Sequence, residues 1–317
     1  MNLPVPAGVD ATGYTLGPPQ RAGALSMVPV FGPSYPGIAP PRSGLKLSRV
    51  VTYGQVELTN PAASGVAIVP LHVGYIQDSA QNHALCRSAF IAAGQTLRFD
   101  DACCVQESQG GYLSERDQWF FVLPVELRPA ALRLRGTSQY SKLWGDIARF
   151  NGSHGLPARG HLEQVLTRKR AVLTQYQSRL ELLDGQVGAL FFVGGELAGV
   201  EIAPDPVYFA EVWTALVCFA YGPAAWSHAL STSEPAAEPC AAGSLDEVRT
   251  GLRRRRQSVA DEVGAWLERA SWRPDSLVEE DRYLGLRLST VDGPAVGGQV
   301  VTDGSRLVYA SLFAAAA

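Results

Sequence analysis

Apolar and polar residues alternate along most of the first half of the chain, a pattern that is typical of β-strands. The clearest runs are Leu47–Leu58, Val66–Ile76 and Trp119–Leu127, and Asn-Pro, Ser-Gly and Ala-Gly pairs act as turn signals between runs. Pro124 interrupts the third run and has no amide proton to donate, so that run is expected at an edge or a bulge. The first half is therefore predicted to be β-rich, as a small sandwich or a strongly curved sheet.

Apolar residues recur at helical spacing in the second half. The longest such segment runs from Gly160 to Leu183, where leucine and valine residues form one stripe and most charged residues fall elsewhere. Asp205 precedes a proline and suits the cap of a helix that is expected to end at Gly222. Ser244 is expected to cap a further helix. The second half therefore contributes amphipathic helices.

Strands also occur in the second half, and two of them are predicted to form a hairpin. Gln186–Val193 and Leu197–Ile202 flank two adjacent glycines, which suit the positive φ angles of a tight turn. Further runs of β-favouring residues are Leu284–Ser289, Gly298–Thr302 and Leu307–Phe313. This order of elements predicts an α+β fold, in which amphipathic helices pack on a mixed or antiparallel sheet.

Composition divides the chain into an arm and a domain. Residues 1–44 are rich in proline and glycine, so they are predicted to form an extended arm with one short strand at Leu25–Phe31. The arm either drapes over the domain or stays mobile. Residues 45–317 are predicted to form a single domain with a soft linker near residues 231–243.

Charge and composition argue against several classes of protein. The chain has 317 residues, of which 46% are hydrophobic and 18% charged, and its net charge is −3. These values are ordinary for a globular protein with a large core, and they provide no excess positive charge for a nucleic acid. The sequence has no run of about 18 apolar residues and begins without a basic and apolar signal segment. A cytoplasmic protein that does not enter membranes is expected.

Cysteine and acidic residues form the first group of catalytic candidates. The five cysteines are too few for a disulfide framework and lack zinc-ligand spacing, so reduced thiols and no metal are expected. Cys103 and Cys104 are adjacent on a predicted strand, so they face opposite sides, and Cys104 is a candidate nucleophile if a base such as His83 lies nearby. Burial as a small apolar residue is the alternative. Asp101 adds a carboxylate for acid–base chemistry or Mg²⁺, or else ends a strand in solvent.

Amide side chains form the second group of candidates. Gln81 and Asn82 precede His83 in a polar segment, and their donors and acceptors suit a ribose, a base edge or a peptide. The alternative is a surface turn in which the asparagine bonds its own backbone. The glycine pairs do not follow phosphate-loop or dinucleotide spacing, so no cofactor is expected.

Arg253–Arg256 is a run of four consecutive arginines and the most concentrated positive charge in the sequence. Four consecutive helical residues are spread around the helix at about 100° intervals, so they do not form one basic stripe. The run is either a solvated helix face or a contact for a phosphate, an RNA or a protein. A protein partner is expected to bind either here or at the Pro- and Gly-rich arm, whereas nucleic acid is disfavoured.

The serial order of these features resembles the ARPP family. The features are Gln81-Asn82 between strands, the Cys-Val-Gln segment at 104–106, Gln139 and Trp144 on a short helix, the long helix, the glycine hairpin, the helix after Asp205 and the last strand. The resemblance covers about residues 44–313. The family is named for its association with ADP-ribosylglycohydrolases and rhodanese-phosphatases, which implies a bacterial system linked to NAD or ADP-ribose. It adds Gln106 and Gln139 to the ligand-binding candidates.

One segment departs from the family pattern. The family continues Cys-Val-Glu with Gly-Arg-Trp, whereas this sequence reads CVQESQGGYL. Gln106 therefore replaces the acidic residue, and the Arg-Trp pair is absent. If this segment forms the site of the family, this member has altered or lost it.

Two hypotheses from different classes follow from these observations. The first is a non-catalytic binding or scaffold protein in an NAD- or ADP-ribose-linked or conflict system, with a nucleotide or ADP-ribose-type ligand or a protein partner. The second is an enzyme on an ADP-ribose-type or phosphorylated nucleotide substrate. In the second, Cys104, His83 and Asp101 act around Gln81 and Asn82, and the two hypotheses differ in whether these side chains converge on a pocket.

Overall fold

The computed structural model describes residues 3–76, 81–107, 119–232, 242–269, 272 and 276–315. The strands are β1 (Thr15–Leu16), β2 (Gln20–Ala22), β3 (Leu25–Phe31), β4 (Ile38–Ala39), β5 (Lys46–Thr52), β6 (Gln55–Thr59), β7 (Val66–Ile68), β8 (Val73–Ile76), β9 (His83–Ala84), β10 (Phe90–Ala92), β11 (Thr96–Phe99), β12 (Cys103–Cys104), β13 (Trp119–Val122), β14 (Gln186–Val193), β15 (Glu196–Ile202), β16 (Ser276–Tyr283), β17 (Leu286–Asp292), β18 (Val296–Asp303) and β19 (Arg306–Ala314). The helices are α1 (Arg128–Arg133), α2 (Trp144–Ser153), α3 (Glu163–Arg168), α4 (Arg170–Arg179), α5 (Pro206–Thr214), α6 (Gly222–Ser231) and α7 (Leu245–Arg269), with a 3-10 turn at Val125–Leu127 and a π-helical segment at Ala215–Tyr221. The predicted α+β class is confirmed.

A nine-stranded antiparallel sheet forms the centre of the fold. Its strand order is β1-β3-β14-β15-β19-β18-β17-β16, and β2 also pairs with β3. Alternate residues of β3 belong to two different cores, because Leu25 and Met27 join one cluster while Val28 and Val30 join the other. Both faces of the sheet are therefore buried, which explains why its inner strands read as nearly continuous apolar runs.

Helices pack on both faces of this sheet. Phe209 and Trp213 of α5 belong to the same core as Phe191 of β14. On the other face, Trp266 of α7 lies 5.6 Å from Phe192, centroid to centroid. The amphipathic helices predicted to pack on an antiparallel sheet are confirmed.

Three small sheets lie between residues 38 and 122. Their orders are β10-β7-β4, β11-β6-β5 and β12-β9-β8-β13. The pairing of β4 with β7 is parallel, and the other pairings are antiparallel. These strands enclose a separate core that includes Leu58, Val69 and Phe99. The predicted sheet-rich N-terminal half is confirmed.

The proline- and glycine-rich segment lies against the main sheet. β3 occupies Leu25–Phe31, the bounds expected from the sequence, and pairs with β14 along its length. The backbone of Asp10 also forms an isolated parallel β-bridge with that of Arg306. The described part of residues 1–44 is therefore folded onto the domain. Most of the linker expected near residues 231–243 lies outside the described residues.

Two predicted helices have different bounds in the structure. The segment predicted as one helix from 160 to 183 is divided into α3 and α4 at Lys169, where ψ is 3°. The helix expected to end at Gly222 instead continues, because Gly222 has helical φ and ψ angles of −56° and −45°. Pro223 has no amide proton for the helix ladder, which accounts for the π-helical segment before it.

Other local predictions agree with the structure. The Asp205 carboxylate accepts a hydrogen bond from the Tyr208 amide at 2.9 Å, and Ser244 caps α7 through the Glu247 amide at 3.2 Å. The short helix expected to carry Gln139 and Trp144 begins at Trp144, the first residue of α2, so Gln139 precedes it. The edge strand β16 was not expected, because its polar sequence has no clear alternation.

Within the described residues one helical stretch, Pro206–Ser231, is long and apolar enough to cross a membrane. Its most apolar window is 72% buried inside the protein. The stretch packs on β14 through α5 and α6, so it is the core helix of the folded domain.

Candidate functional site

Five predicted site residues come together around the paired strands β9 and β12. Antiparallel pairing places Cys104 opposite His83. Gln81 and Asn82 precede β9, and Gln106 follows β12. The Gln106 Oε1 atom accepts a hydrogen bond from the Asn82 backbone amide at 3.4 Å. We call these five residues the polar knot, and each is at most 8% exposed. The structure therefore brings these five residues together and places them inside the protein.

Several hydrogen bonds join residues of the polar knot to one another and to nearby backbone. The Cys104 thiol lies 3.1 Å from Gln81 Oε1 and 3.1 Å from the backbone oxygen of Gln106. His83 Nε2 accepts from the Gly54 amide at 3.0 Å, and Nδ1 lies 2.8 Å from the Gln81 backbone oxygen. This pattern requires the neutral imidazole with its proton on Nδ1. The arrangement holds the two strands together.

Burial also sets the protonation states in the polar knot. It lowers the pKa of His83 to about 4, so the imidazole is neutral near pH 7. Burial raises the pKa of the Cys104 thiol, so the thiol keeps its proton. The acceptor nitrogen of the imidazole already bonds to a backbone amide, so it has no lone pair for the thiol proton. This geometry is that of a structural cluster and differs from an activated nucleophile and its base.

Two further candidates lie outside the polar knot. The Asp101 carboxylate accepts hydrogen bonds from Arg87 Nε at 3.2 Å and from the Gly136 amide at 2.9 Å. Gln139 is exposed in the turn before α2, and its backbone oxygen accepts from the Lys142 amide at 3.4 Å. Within the described ranges, no group of three His, Cys, Asp or Glu side chains is arranged to hold a metal ion.

A second buried polar cluster joins α1 to the main sheet. Arg128 is fully buried, and its Nη1 lies 2.5 Å from Glu201 Oε1. Glu201 also accepts from the Tyr221 and Ser311 hydroxyls, both at 2.6 Å. Arg128 donates to Ser311 Oγ and, at 3.3 Å, from Nε to His72 Nδ1. The buried charges are thus paired and hydrogen-bonded, as their burial requires.

A glycine makes room for the tyrosine of this buried cluster. A Cβ atom at Gly199 would lie 1.8 Å from the Tyr221 hydroxyl, so no larger residue fits there. The Tyr221 ring stacks on Phe191 with centroids 4.2 Å apart. The position of the ring on the sheet brings its hydroxyl to the buried carboxylate.

An open cleft of about 460 Å³ lies between the helices α4 and α5 and the strands β8 and β13. Small-molecule sites in proteins commonly range from about 300 to 1,000 Å³. The residues that line it are Pro41, Arg42, Leu45, Tyr75, Phe120, Arg170, Thr174, Gln177, Ala210, Glu211, Thr214, Ala215 and Phe219. We refer to this space as the cleft.

Aromatic residues line the inner part of the cleft, and arginines line its rim. Tyr75 and Phe120 are opposite each other on β8 and β13, and Phe219 comes from the π-helical segment. Tyr75 and Phe219 are buried, Phe120 is half-buried, and Arg42 and Arg170 are exposed. Flat apolar surface inside and positive charge at the rim suit a ligand with an aromatic ring and an anionic group.

Glu211 positions the loop that carries one of these arginines. Its Oε2 accepts from the amides of Arg42 at 2.7 Å and Ser43 at 3.1 Å, and its Oε1 accepts from the Ser43 hydroxyl at 2.5 Å. Both oxygens of the only carboxylate among the described lining residues therefore bond to the loop. The guanidinium groups of Arg42 and Arg170 are the charged groups of opposite sign among the described lining residues.

The cleft is not evident from the amino-acid sequence. Its walls come from five separate parts of the chain, so no local pattern marks it. One signal was present, since Arg170, Thr174 and Gln177 follow one another at helical spacing and form a polar stripe on α4.

Comparison with known proteins gives one result. The family model of the ARG and Rhodanese-Phosphatase-superfamily-associated Protein domain matches residues 13–313. No curated protein and no solved structure matches the chain. The matched range contains both the polar knot and the cleft, and it extends the range of the resemblance found in the sequence.

Proposed function

The chain belongs to the ARG and Rhodanese-Phosphatase-superfamily-associated Protein family, and on that premise we propose that it is a binding protein whose cleft takes an ADP-ribose-type ligand. The family name associates it with ADP-ribosylglycohydrolases, whose chemistry concerns ADP-ribose. The proposed setting is the cytoplasm of a bacterium, in a system that handles NAD or ADP-ribose.

The composition of the cleft is the observation that carries this proposal. An ADP-ribose-type ligand contains an adenine ring, ribose hydroxyls and a diphosphate. The aromatic walls at Tyr75 and Phe120 suit the adenine, and the guanidinium groups of Arg42 and Arg170 suit the diphosphate. The Thr174 hydroxyl donates to the Arg170 backbone oxygen at 2.9 Å and can still accept a hydrogen bond from a ribose hydroxyl. All three chemical parts of the ligand therefore have matching residues in one space.

The polar knot supports binding rather than catalysis. A catalytic pair needs a thiolate or an available base, and both groups are neutral and hydrogen-bonded in the knot. Asp101 bonds to Arg87 and does not bond to the histidine or the thiol of the knot. The alternative of an enzyme on a phosphorylated nucleotide therefore receives no support from these residues.

Protein partners belong to the same proposal. Arg253–Arg256 lies exposed on α7, on the part of the helix that precedes its buried residue Val263. An exposed basic run is suited to an acidic surface on a partner enzyme. A binding protein with a filled cleft and a basic helix can bring ADP-ribose and such an enzyme together.

Isothermal titration of the purified chain with ADP-ribose tests the ligand. We expect Arg170→Ala to weaken binding at least about 10-fold, because a charge-assisted hydrogen bond contributes about 1.5 to 3 kcal/mol. Arg179→Ala is the matched control, since Arg179 is exposed on the same helix but does not line the cleft. Its affinity should equal that of the wild type.

Three outcomes would contradict the proposal. One is the absence of binding of ADP-ribose, ADP and NAD to the wild-type chain. Another is an equal loss of affinity in Arg170→Ala and Arg179→Ala, which would mean that only overall charge matters. The third is chromatographic detection of ligand turnover that Cys104→Ser abolishes, which would favour the enzyme hypothesis.

A further inference from the structure

Two buried cysteines lie side by side at the edge of the sheet that contains β9 and β12. Cys86 Sγ is 3.0 Å from Cys103 Sγ, and the side chains are 1% and 0% exposed. Cys103 pairs with Ala84 across the two strands, which places Cys86 diagonally beside it. Because a disulfide has its sulfurs about 2.05 Å apart, an approach of about 1 Å would join them.

A lysine ammonium lies next to this pair of thiols. Lys142 Nζ donates to the backbone oxygens of Asp101 at 2.8 Å and Leu134 at 3.0 Å, and also to that of Thr137. These three carbonyl groups hold the ammonium in one place beside Cys86. A fixed positive charge stabilises a nearby thiolate, which is the reactive form of cysteine.

The two thiols are not equivalent. The hydrogen bond from Cys103 and then the charge of Lys142 lower the pKa of Cys86, against burial and the nearby Asp101 carboxylate, which raise it. The same hydrogen bond and burial raise the pKa of Cys103 well above its usual range. Cys86 is therefore the thiol that ionises first, while Cys103 keeps its proton.

The other two cysteines of the described chain have different surroundings. Cys104 lies against the Gln81 amide and Cys218 lies 4.0 Å from the Gln177 amide oxygen. Burial raises the pKa of Cys104, and it raises that of Cys218 to about 11. Both are therefore internal controls for the reactivity of the close pair.

We propose that Cys86 and Cys103 form a reversible disulfide site that is oxidised by hydrogen peroxide. The Cys86 thiolate attacks one peroxide oxygen, the O–O bond breaks, and Cys86 becomes a sulfenic acid as hydroxide leaves. Cys103 sulfur then attacks Cys86 sulfur, its proton passes to the departing hydroxyl, and water leaves. Two thiols are oxidised while one peroxide is reduced to two waters, and a small dithiol reverses the change by thiol–disulfide exchange.

The crosslink would change the protein without adding a ligand. It would close the loop between residues 86 and 103. The bond would join Cys86, which follows β9, to Cys103, the first residue of β12. A disulfide over a loop of this length restricts the unfolded chain, so the oxidised protein should be the more stable form. Disulfides of cytoplasmic proteins are usually transient redox devices rather than permanent staples.

Peptide mass spectrometry tests the site directly. The intact chain is treated with hydrogen peroxide, its remaining thiols are alkylated, and the chain is digested with trypsin, which cuts after Arg87 and Arg98 and so separates the two cysteines. The peptide with Cys103 also contains Cys104, so fragmentation of the linked pair must place the bond at Cys103 and the alkyl group at Cys104. We expect this linked pair, and its loss on treatment with dithiothreitol. Oxidation should raise the midpoint of thermal unfolding by about 5 °C in the wild type and not in Cys103→Ser.

Two variants keep the result interpretable. Lys142→Met retains both cysteines, and it should form the linked peptides more slowly at pH 7 and regain the wild-type rate at higher pH. Cys218→Ser should behave as the wild type. The proposal is overturned if no linked peptide forms in the wild type, if Cys86 links to Cys104 instead, or if peroxide gives only sulfinic acid at Cys86.

Discussion

The polar knot and the cleft both contain polar side chains, which are buried in the knot and several of which are exposed in the cleft. The residues of the polar knot are at most 8% exposed, and Gln81, His83 and Cys104 are hydrogen-bonded to one another or to nearby backbone. In the cleft, Arg42, Arg170 and Gln177 are exposed on the walls of an open space. Polar residues contribute to recognition when their groups reach solvent, and to folding when their partners are internal.

This contrast separates stability from binding. Removing one partner from a buried hydrogen-bonded cluster leaves the other partner unsatisfied, which costs free energy of folding. Removing a side chain from an open wall leaves no buried group unpaired. Substitutions in the two regions should therefore act on different measurements.

The largest effect is expected in the buried cluster under the main sheet. Arg128→Met leaves the Glu201 carboxylate buried without its cation, so we expect the free energy of unfolding to fall by about 3 to 5 kcal/mol. Arg133→Met is the control on the same helix, because Arg133 is exposed and should change stability by less than about 0.5 kcal/mol. Urea unfolding at pH 7 measures both, and equal values would contradict the assigned role of the buried pair.

The pH dependence of stability gives the next largest effect. The pKa of His83 is about 4 in the folded protein and about 6.5 in an unfolded chain, so the unfolded state binds more protons between these values. Stability is full above about pH 6.5 and falls as the pH decreases to 4, by about 3 kcal/mol from this residue. The fully buried His72 acts in the same direction, because burial holds its pKa well below the usual value.

Urea unfolding at a series of pH values measures this dependence. His83→Gln removes the titrating group, so its stability should fall less steeply between pH 6.5 and pH 4 than that of the wild type. Parallel pH profiles for the two proteins would show that His83 is solvated, and the polar knot would not be the closed cluster described above.

A smaller loss is expected when one amide of the polar knot is removed. Gln81→Ala takes away an oxygen that lies against the Cys104 thiol, so the free energy of unfolding should fall by about 1 to 3 kcal/mol. Affinity for ADP-ribose should stay unchanged, because Gln81 does not line the cleft. Titration of the variant checks this point, and a large loss of affinity would place the ligand in the knot.

The smallest change in stability is expected in the cleft. Thr174→Val should alter the free energy of unfolding by less than about 0.5 kcal/mol, since Thr174 is half-buried on an open wall. The variant lacks one hydroxyl group, so it should bind ADP-ribose about 3- to 10-fold more weakly, because a hydrogen bond contributes about 1 kcal/mol. Ser178→Ala on the exposed face of α4 is the control, and equal effects on affinity would contradict a ribose contact.

Local signals explain the parts of the fold that the sequence predicts correctly. Gly194 and Gly195 have φ angles of 58° and 88°, which fix the hairpin between β14 and β15. Asp205 caps α5 because its carboxylate reaches the Tyr208 amide three residues away. In both cases the structure depends on residues that are neighbours in the chain.

Long-range contacts explain the parts that the sequence does not predict. β16 carries Glu279, Glu280 and Asp281, and it becomes a strand through pairing with β17 rather than through propensity. Polar amides at Gln81 and Gln106 signal a site, but only the folded chain shows that they bond internally. The cleft depends on segments from Pro41 to Phe219, whose approach no short pattern records.

The position of β19 in the sheet has a consequence for synthesis of the protein. Among the described strands, β19 lies between β15 and β18 and alone joins the group of β1, β2, β3, β14 and β15 to the group of β16, β17 and β18. Translation produces β19 after all the other strands of this sheet. Until it leaves the ribosome, β15 and β18 each have an unpaired edge, which is the exposure that leads to misassociation of nascent chains. Residues 306–314 therefore complete the sheet, and a chain truncated before them lacks the strand that joins the two groups.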